Sequence, residues 1–147
     1  MIVRRFQPSD FSTLSEIDRS CFAPGIAYSP GELKSFIDHR SSMTWVAEAS
    51  GKVVGFLVAN RQPTRVGHII TIDVVESWRG QGVGTALMEE AEIWARKAKL
   101  ELMYLETAEN NLKAQRFYEA RGYRKVNKVD QYYSPDLAAW VMVKHLK

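Results

Sequence analysis

A chain of 147 residues, 46% hydrophobic and 25% charged, can bury one core of ordinary domain size and is neither disordered nor fibrous. Its net charge of +3 is spread along the chain, with a modest gathering at Arg116, Arg121, Arg124, Lys125 and Lys128; this reads as a solvated surface or a field for a polyanionic small molecule, and no basic run interleaved with aromatics supports nucleic acid. No run of about 18 apolar residues predicts a membrane span, the start turns polar too soon for a secretory signal, and the single cysteine, Cys21, excludes an internal disulfide and fits a reducing, cytoplasmic setting.

Residues 2–5 read as a first strand. Ser9 or Asp10 then caps a helix whose apolar face carries Phe11, Leu14, Ile17 and Cys21. Residues 22–28 form a loop. Ser29-Pro30-Gly31-Glu32 is a capping box with proline at the first helical position, and it opens a short helix to about residue 40. Residues 43–49 and 52–60 are rich in β-formers, with Ser50-Gly51 between them as a hairpin signal, and 67–75 continue the group. Residues 82–99 read as a helix with Val83, Leu87, Ala91, Trp94, Ala95 and Ala98 on one face. A strand follows at 101–107. Asn110 or Asn111 starts a helix with Ala114, Phe117 and Tyr118 inward, stopped by Gly122. The last strands are 123–129 and 138–146, joined by a loop at 131–136. The order βααβββαβαββ predicts one α/β (α+β) domain over 1–147, a mixed sheet with helices on both faces.

The most informative stretch runs from Ile72 to Thr85: an apolar strand, a basic glycine-rich turn, then the first turn of a long helix. Glycines let the backbone approach a ligand, and the free N–H groups of a helix start attract an anion. Arg79 adds positive charge. A P-loop is excluded, because Gly84 is followed by Thr85-Ala86 rather than Lys-Ser/Thr. A dinucleotide fold is the stronger competitor, since Gly80-x-Gly82-x-Gly84 follows a strand and Glu106 closes the next one. Thr85, however, stands where the third glycine belongs, and a long βααβββ segment precedes the turn.

The pattern Val74-x4-Arg79-x2-Gly82-x-Gly84 on strand, turn and helix resembles the acetyl-CoA motif of the GNAT superfamily of N-acetyltransferases. That superfamily shares the element order, so the resemblance covers almost the whole chain. Glu106, Asn111, Ala114, Phe117-Tyr118 and Gly122-Tyr123, with Tyr132-Tyr133-Ser134-Pro135 downstream, look most like the subgroup that acetylates protein N-termini, to which the RimI-like ribosomal-protein alanine acetyltransferases belong.

The resemblance implies that acetyl-CoA is the co-substrate. Backbone groups of Ile72, Asp73 and Val74 would bond its pantetheine arm, with the N–H of Val74 on the thioester carbonyl. Arg79, Gly80, Gln81, Gly82, Val83, Gly84 and Thr85 would cradle the pyrophosphate. Asn111 would bond the arm, although asparagine there is also a favoured helix cap. Tyr118 would be the general acid and Glu106 the general base, with Asp73 as the alternative base or an attractor for a cationic amine. Glu76 stands where the family often has proline. Tyr28, Tyr132 and Tyr133 would line the acceptor slot. Lys113 and Arg116 are within reach of the 3′-phosphate of CoA. His39, His68 and His145 lack metal-ligand spacing, so no metal is expected, and His68 reads as structural. Cys21, on an apolar helix face, does not read as a nucleophile. The expected acceptor is a protein or peptide α-amine; a small amine such as a polyamine, an amino acid or an aminoglycoside, or a CoA sensor without turnover, are the alternatives. The protein is expected to act as a monomer or homodimer.

Overall fold

A computed structural model describes residues 1–146. Its elements in chain order are β1 (Ile2–Arg5), α1 (Phe11–Cys21), α2 (Pro30–Asp38), β2 (Ser42–Ala49), β3 (Lys52–Gln62), β4 (Val66–Val74), α3 (Val83–Lys97), β5 (Leu102–Ala108), α4 (Leu112–Ala120), β6 (Arg124–Ser134) and β7 (Leu137–His145). The order is the one read from the sequence. The seven strands form one sheet in the order β1-β2-β3-β4-β5-β7-β6. No helix among the described residues is long and apolar enough to cross a membrane.

The sheet buries both faces. On one, Leu14, Ile17 and Leu33 of α1 and α2 pack against Val46, Phe56 and Val58. On the other, Leu87, Met88, Ala91 and Ala95 of α3 and Tyr118 of α4 pack against Leu57, Ile69, Met103, Leu105 and Met142. The period of apolar residues in each helix sets which face it buries, as the sequence suggests. The α2 capping box forms: Ser29 Oγ accepts from Glu32 N–H at 3.1 Å, and Glu32 Oε1 accepts from Ser29 N–H at 2.9 Å.

Every strand pair is antiparallel except β4 with β5. That parallel pair is short. It joins Val66 to Leu102, Gly67 to Met103 and His68 to Tyr104, then ends. Gly67 permits the close approach there, because a Cβ would lie 2.4 Å from Met103 Sδ. Immediately afterwards the β3–β4 register shifts: Ala59 opposes Ile69 but Val58 opposes Thr71, so Ile70 is an extra residue. A bulge bends and twists its strand. Here it carries the rest of β4 away from β5 and opens a gap in the middle of the sheet.

Two local expectations give way. Asp10 stands at the N-cap of α1, but its side chain makes no cap bond; its carboxylate instead accepts from Arg4 at 3.0 Å and from Gln7 N–H at 2.8 Å, which holds it below the usual carboxylate range. The segment 131–136 is not a loop. β6 continues to Ser134 through an irregular register between Val129 and Ser134, with Gln131 at φ 55°, so only Pro135-Asp136 separates it from β7.

Candidate active site

Two clefts meet where β4 leaves β5. The first, about 480 Å³, is walled by Val74, Arg79, Gly80, Gly82, Thr85 and Phe117 among others. The second, about 450 Å³, is walled by Phe22, Tyr28, Glu106, Asn110 and Tyr133 among others. Ile72, Asn111 and Tyr118 border both and mark the junction.

The bent end of β4 supplies the wall of the first cleft. Val75 N–H donates to Val54 O on β3 at 2.9 Å. Strand alternation therefore turns the main-chain groups of Ile72 and Val74 the other way, into the gap. The Cys21 thiol and Arg79 Nε–H already donate to Val74 O, at 3.5 and 3.0 Å. Arg79 is thus folded back onto the strand end, so its charge sits beside Val74 rather than projecting from the turn. Burial, and then the Asp73 charge, push the Cys21 thiol up, which keeps it a donor and a poor nucleophile.

The opening of α3 supplies the floor. Gly82 is its N-cap, and the first intrahelical bond runs from Ala86 N–H to Gly82 O at 3.0 Å. The N–H groups of Val83, Gly84 and Thr85 precede that bond and have no partner within the helix. Gly80 and Gly82 lie at φ 75° and 86°, where other residues are strained, although no protein atom would touch a Cβ. Gly84 is needed for a different reason: its Cβ would come within 3.2 Å of Phe117 Cζ, so its smallness seats α4 against α3. Gly82 and Gly84 thus serve for separate reasons, a left-handed backbone at the first and close packing at the second. Gln81 and Val83 face elsewhere. Gln81 Nε2 donates to Ser77 O at 3.0 Å, and Val83 is buried in the core, and neither residue lines the cleft. Asn111 caps α4, its Oδ1 accepting from Ala114 N–H at 3.1 Å, and it borders the cleft as well. Lys113 lines it; Arg116 does not.

The second cleft gathers Glu106 with three tyrosines, Tyr28, Tyr118 and Tyr133. Glu106 Oε1 lies 2.7 Å from His68 Nε2, and both side chains are largely buried. A carboxylate oxygen only accepts, so His68 donates through Nε2–H. The imidazole stacks on Tyr104 at 4.3 Å between ring centroids and 3° between planes. The Tyr104 hydroxyl in turn donates to Gln62 Oε1 at 3.2 Å. His68 is therefore not a bystander in the strand. Its register opposite Tyr104, on the face that Tyr104 and Glu106 share, was the available signal, and it needed the parallel β4–β5 pairing to be read.

Tyr28 and Tyr133 line the second cleft, and Tyr132 stands edge-on to Tyr133 at 4.8 Å. Burial, and then the charge of Glu106, push the Tyr132 phenol up to about 12. Burial raises Tyr28 and Tyr133 as well, each with the neighbouring Tyr132 as the next cause. Tyr118 is raised by burial and then by the Asp73 charge. All four phenols hold their protons at neutral pH. Asp73 borders the first cleft but is only 1% exposed, and its carboxyl accepts from the Thr71 hydroxyl and neighbours Asp18.

Residues 11–123 match the model of the Acetyltransferase (GNAT) family. An uncharacterized N-acetyltransferase of Methanocaldococcus jannaschii is 32% identical over 145 residues, covering 98% of this chain and 91% of the relative. An N-alpha-acetyltransferase of Sulfurisphaera tokodaii is 28% identical over 160 residues, covering 98% and 92%. The crystal structure of the ribosomal-protein-S18-alanine N-acetyltransferase from Escherichia coli superposes with a TM-score of 0.90 at 19% identity, over 99% of this chain and 94% of that one, which is a likeness of fold. With a gap between two central strands, a glycine-rich turn at a helix start and a family model matched over most of its length, the chain belongs to the GNAT family and is an N-acetyltransferase.

Proposed function

We propose that this acetyltransferase modifies the α-amine of a protein or peptide N-terminus by direct attack in a ternary complex. The observation that carries the reading is the placement of Glu106 and Tyr118 on one cleft, with Tyr118 at its junction with the cleft under the α3 turn.

The first cleft fits acetyl-CoA. The unpaired edge of β4 at Ile72 and Val74 suits an amide-bearing arm, and the turn from Arg79 to Thr85 suits a pyrophosphate. Asn111 borders the same path. When bound, acetyl-CoA supplies an activated acyl group. Val74 N–H would then lie where an oxyanion needs a donor. Glu106, oriented by His68, would take the amine proton, directly or through a water. Tyr118 would return a proton to the departing thiol, whose ordinary pKa lies near 8.5. Asp73 is bonded elsewhere, which favours Glu106 as the base.

A single carboxylate suits an α-amine. Such amines have pKa values of about 7.7–8.0, so more than about a tenth is already neutral at pH 7, against less than about a thousandth of a lysine near 10.4. Glu106 is the only carboxylate among the described residues lining the second cleft, the rest of the wall being phenols, amides, two threonine hydroxyls, the Cys21 thiol and apolar groups. A polyamine slot would need more acids. The relative from Sulfurisphaera tokodaii, an N-alpha-acetyltransferase by name, supports the same acceptor class.

The test is CoA thiol release against peptides with free N-termini, the same peptides Nα-blocked, and small amines. Turnover confined to free N-termini is the expected result, and turnover confined to small amines contradicts it. Glu106→Gln is expected to lower kcat about 10²-fold near pH 7. The deficit should narrow toward pH 9, as the α-amine deprotonates without help; a constant deficit would remove Glu106 from the base role. His68→Ala should reproduce part of the loss, about tenfold, by releasing Glu106 from its 2.7 Å contact.

Gly82→Ala tests the phosphate turn. At φ 86° the alanine is strained by about 1 kcal/mol or more. Calorimetry should show acetyl-CoA binding weakened about tenfold or more, as the turn and its N–H groups re-aim. Unchanged affinity would place the pyrophosphate elsewhere.

A further inference from the structure

Two buried carboxyls stand beside the site without a part in the proposed chemistry. Asp18, on the inner face of α1, is 0% exposed and Asp73, on β4, is 1% exposed. Each has one oxygen in a conventional bond. Asp18 Oδ2 accepts from Tyr28 N–H at 2.8 Å, and Asp73 Oδ1 accepts from the Thr71 hydroxyl. The other two oxygens, Asp18 Oδ1 and Asp73 Oδ2, have no such partner. Cys21, one turn beyond Asp18 on α1, donates to Val74 O at 3.5 Å, which seats Asp18 beside Asp73, and the two carboxyls act on each other as neighbours. Carboxylate oxygens only accept, so a bond between the two unpartnered oxygens forms only while one carboxyl keeps its proton.

The position matters as much as the chemistry. Asp73 lies between Ile72 and Val74, whose main chains face the gap in the sheet. Asp18 holds Tyr28, the end of a loop whose Phe22, Ala23 and Ile26 line the second cleft. The pair therefore links the strand on the acetyl-CoA side to the loop on the acceptor side. Building this link from two acids in a core is costly compared with an apolar contact, and that asks for a reason beyond packing.

We propose that Asp18 and Asp73 form a one-proton clamp that fixes the Tyr28 loop against β4 and so sets affinity for the acceptor. They are positioning residues, and their effect on acceptor binding rests on the function proposed above. The groups facing Asp73 are Asp18 and Cys21 from α1, Tyr28 from the loop, Arg79 from the turn before α3, and Tyr118 from α4. Burial first, then Asp18, holds the Asp73 carboxyl well above the usual carboxylate range, while Thr71 and Arg79 pull the other way. The folded protein holds this proton more tightly than the unfolded chain, so the clamp is closed at low pH and is lost as pH rises through the raised value.

Hydrogen exchange at the Tyr28 amide reads the clamp without reference to activity. In the wild-type protein, the exchange rate should rise with pH by more than the intrinsic tenfold per unit that any amide shows, so that protection falls. Asp73→Ala should cut protection about tenfold or more and raise acceptor KM about tenfold. Asp73→Asn carries a permanent donor for Asp18 Oδ1 and an acceptor for Thr71. It should restore protection and KM and remove the extra pH dependence. Unchanged protection in Asp73→Ala, or Asp73→Asn behaving like the alanine, overturns the clamp. Lost protection with an unchanged acceptor KM overturns its role in acceptor binding. Should Asp73→Ala not fold, the pH series of wild type against Asp73→Asn decides, and parallel curves overturn the proposal. If no amine is acetylated, the acceptor reading falls, and the exchange series alone still upholds or overturns the clamp.

Discussion

Tyr118→Phe is expected to lower kcat by about 10²–10³-fold, or about 2.7–4 kcal/mol of barrier, while acetyl-CoA and acceptor affinities stay within a few-fold. The substitution is narrow because the ring has a second job. Tyr118 packs edge-on to Phe117 at 5.3 Å and to Tyr123 at 6.1 Å, in the core between α4 and the sheet. Phenylalanine keeps those contacts and loses only the hydroxyl at the junction of the two clefts. Burial raises this phenol, so it carries its proton throughout the working range. The pH profile of kcat should therefore show no fall near pH 10 from its ionisation, and the mutant profile should keep the wild-type shape at a lower level. Stopped-flow or steady-state thiol release checks both. A kcat within threefold of wild type would remove Tyr118 from the chemistry.

Glu92→Ala is expected to be the most destabilising exchange outside the site, by about 3–5 kcal/mol. Glu92 on α3 is 2% exposed, and its oxygens gather groups from three other places. Oε1 accepts from Lys144 Nζ on β7 at 2.8 Å and from Arg121, just past α4, at 3.2 Å; Oε2 accepts from the Tyr123 hydroxyl at 3.2 Å. Removing the carboxylate leaves two largely buried cations without their counter-charge. At about 2–4 °C per kcal/mol for a chain of this size, the melting temperature should drop by roughly 10 °C. Chemical denaturation gives the free energy. A Glu92→Met, Lys144→Met double variant should recover part of the loss, because it removes a cation together with its partner; no recovery would mean that Arg121 and Tyr123 carry the network.

What the sequence disclosed, and what it withheld, divides along the reach of each interaction. Apolar periodicity and turn chemistry are local, and they placed every helix and strand in order. The glycine-rich turn was legible because Gly80 and Gly82 adopt the left-handed backbone that only glycine takes freely. The gap beside it was not, since it depends on a bulge at Ile70 that shows only once β3 and β4 are in register. The run Tyr132-Tyr133 looked like a loop because Gln131 and the register irregularity break the alternation by which a strand is read. Acids on helix faces were hidden for a related reason. Asp18 and Glu92 interrupt otherwise apolar stripes, and their partners are distant: Asp73 for the first, Lys144, 52 residues away, for the second. The same holds for His68 and Glu106, 38 residues apart and joined only by parallel pairing. Periodicity says that a side chain turns inward; it does not say what meets it there.

The most direct test of the account is mass-spectrometric mapping of acetylation on one peptide that carries both a free N-terminus and a lysine, at neutral pH, with wild type and Glu106→Gln. A single acetyl group on the α-amine is expected, made rapidly by wild type and about 10²-fold more slowly by Glu106→Gln. Acetylation of the lysine side chain, or an equal rate in the two proteins, would contradict it.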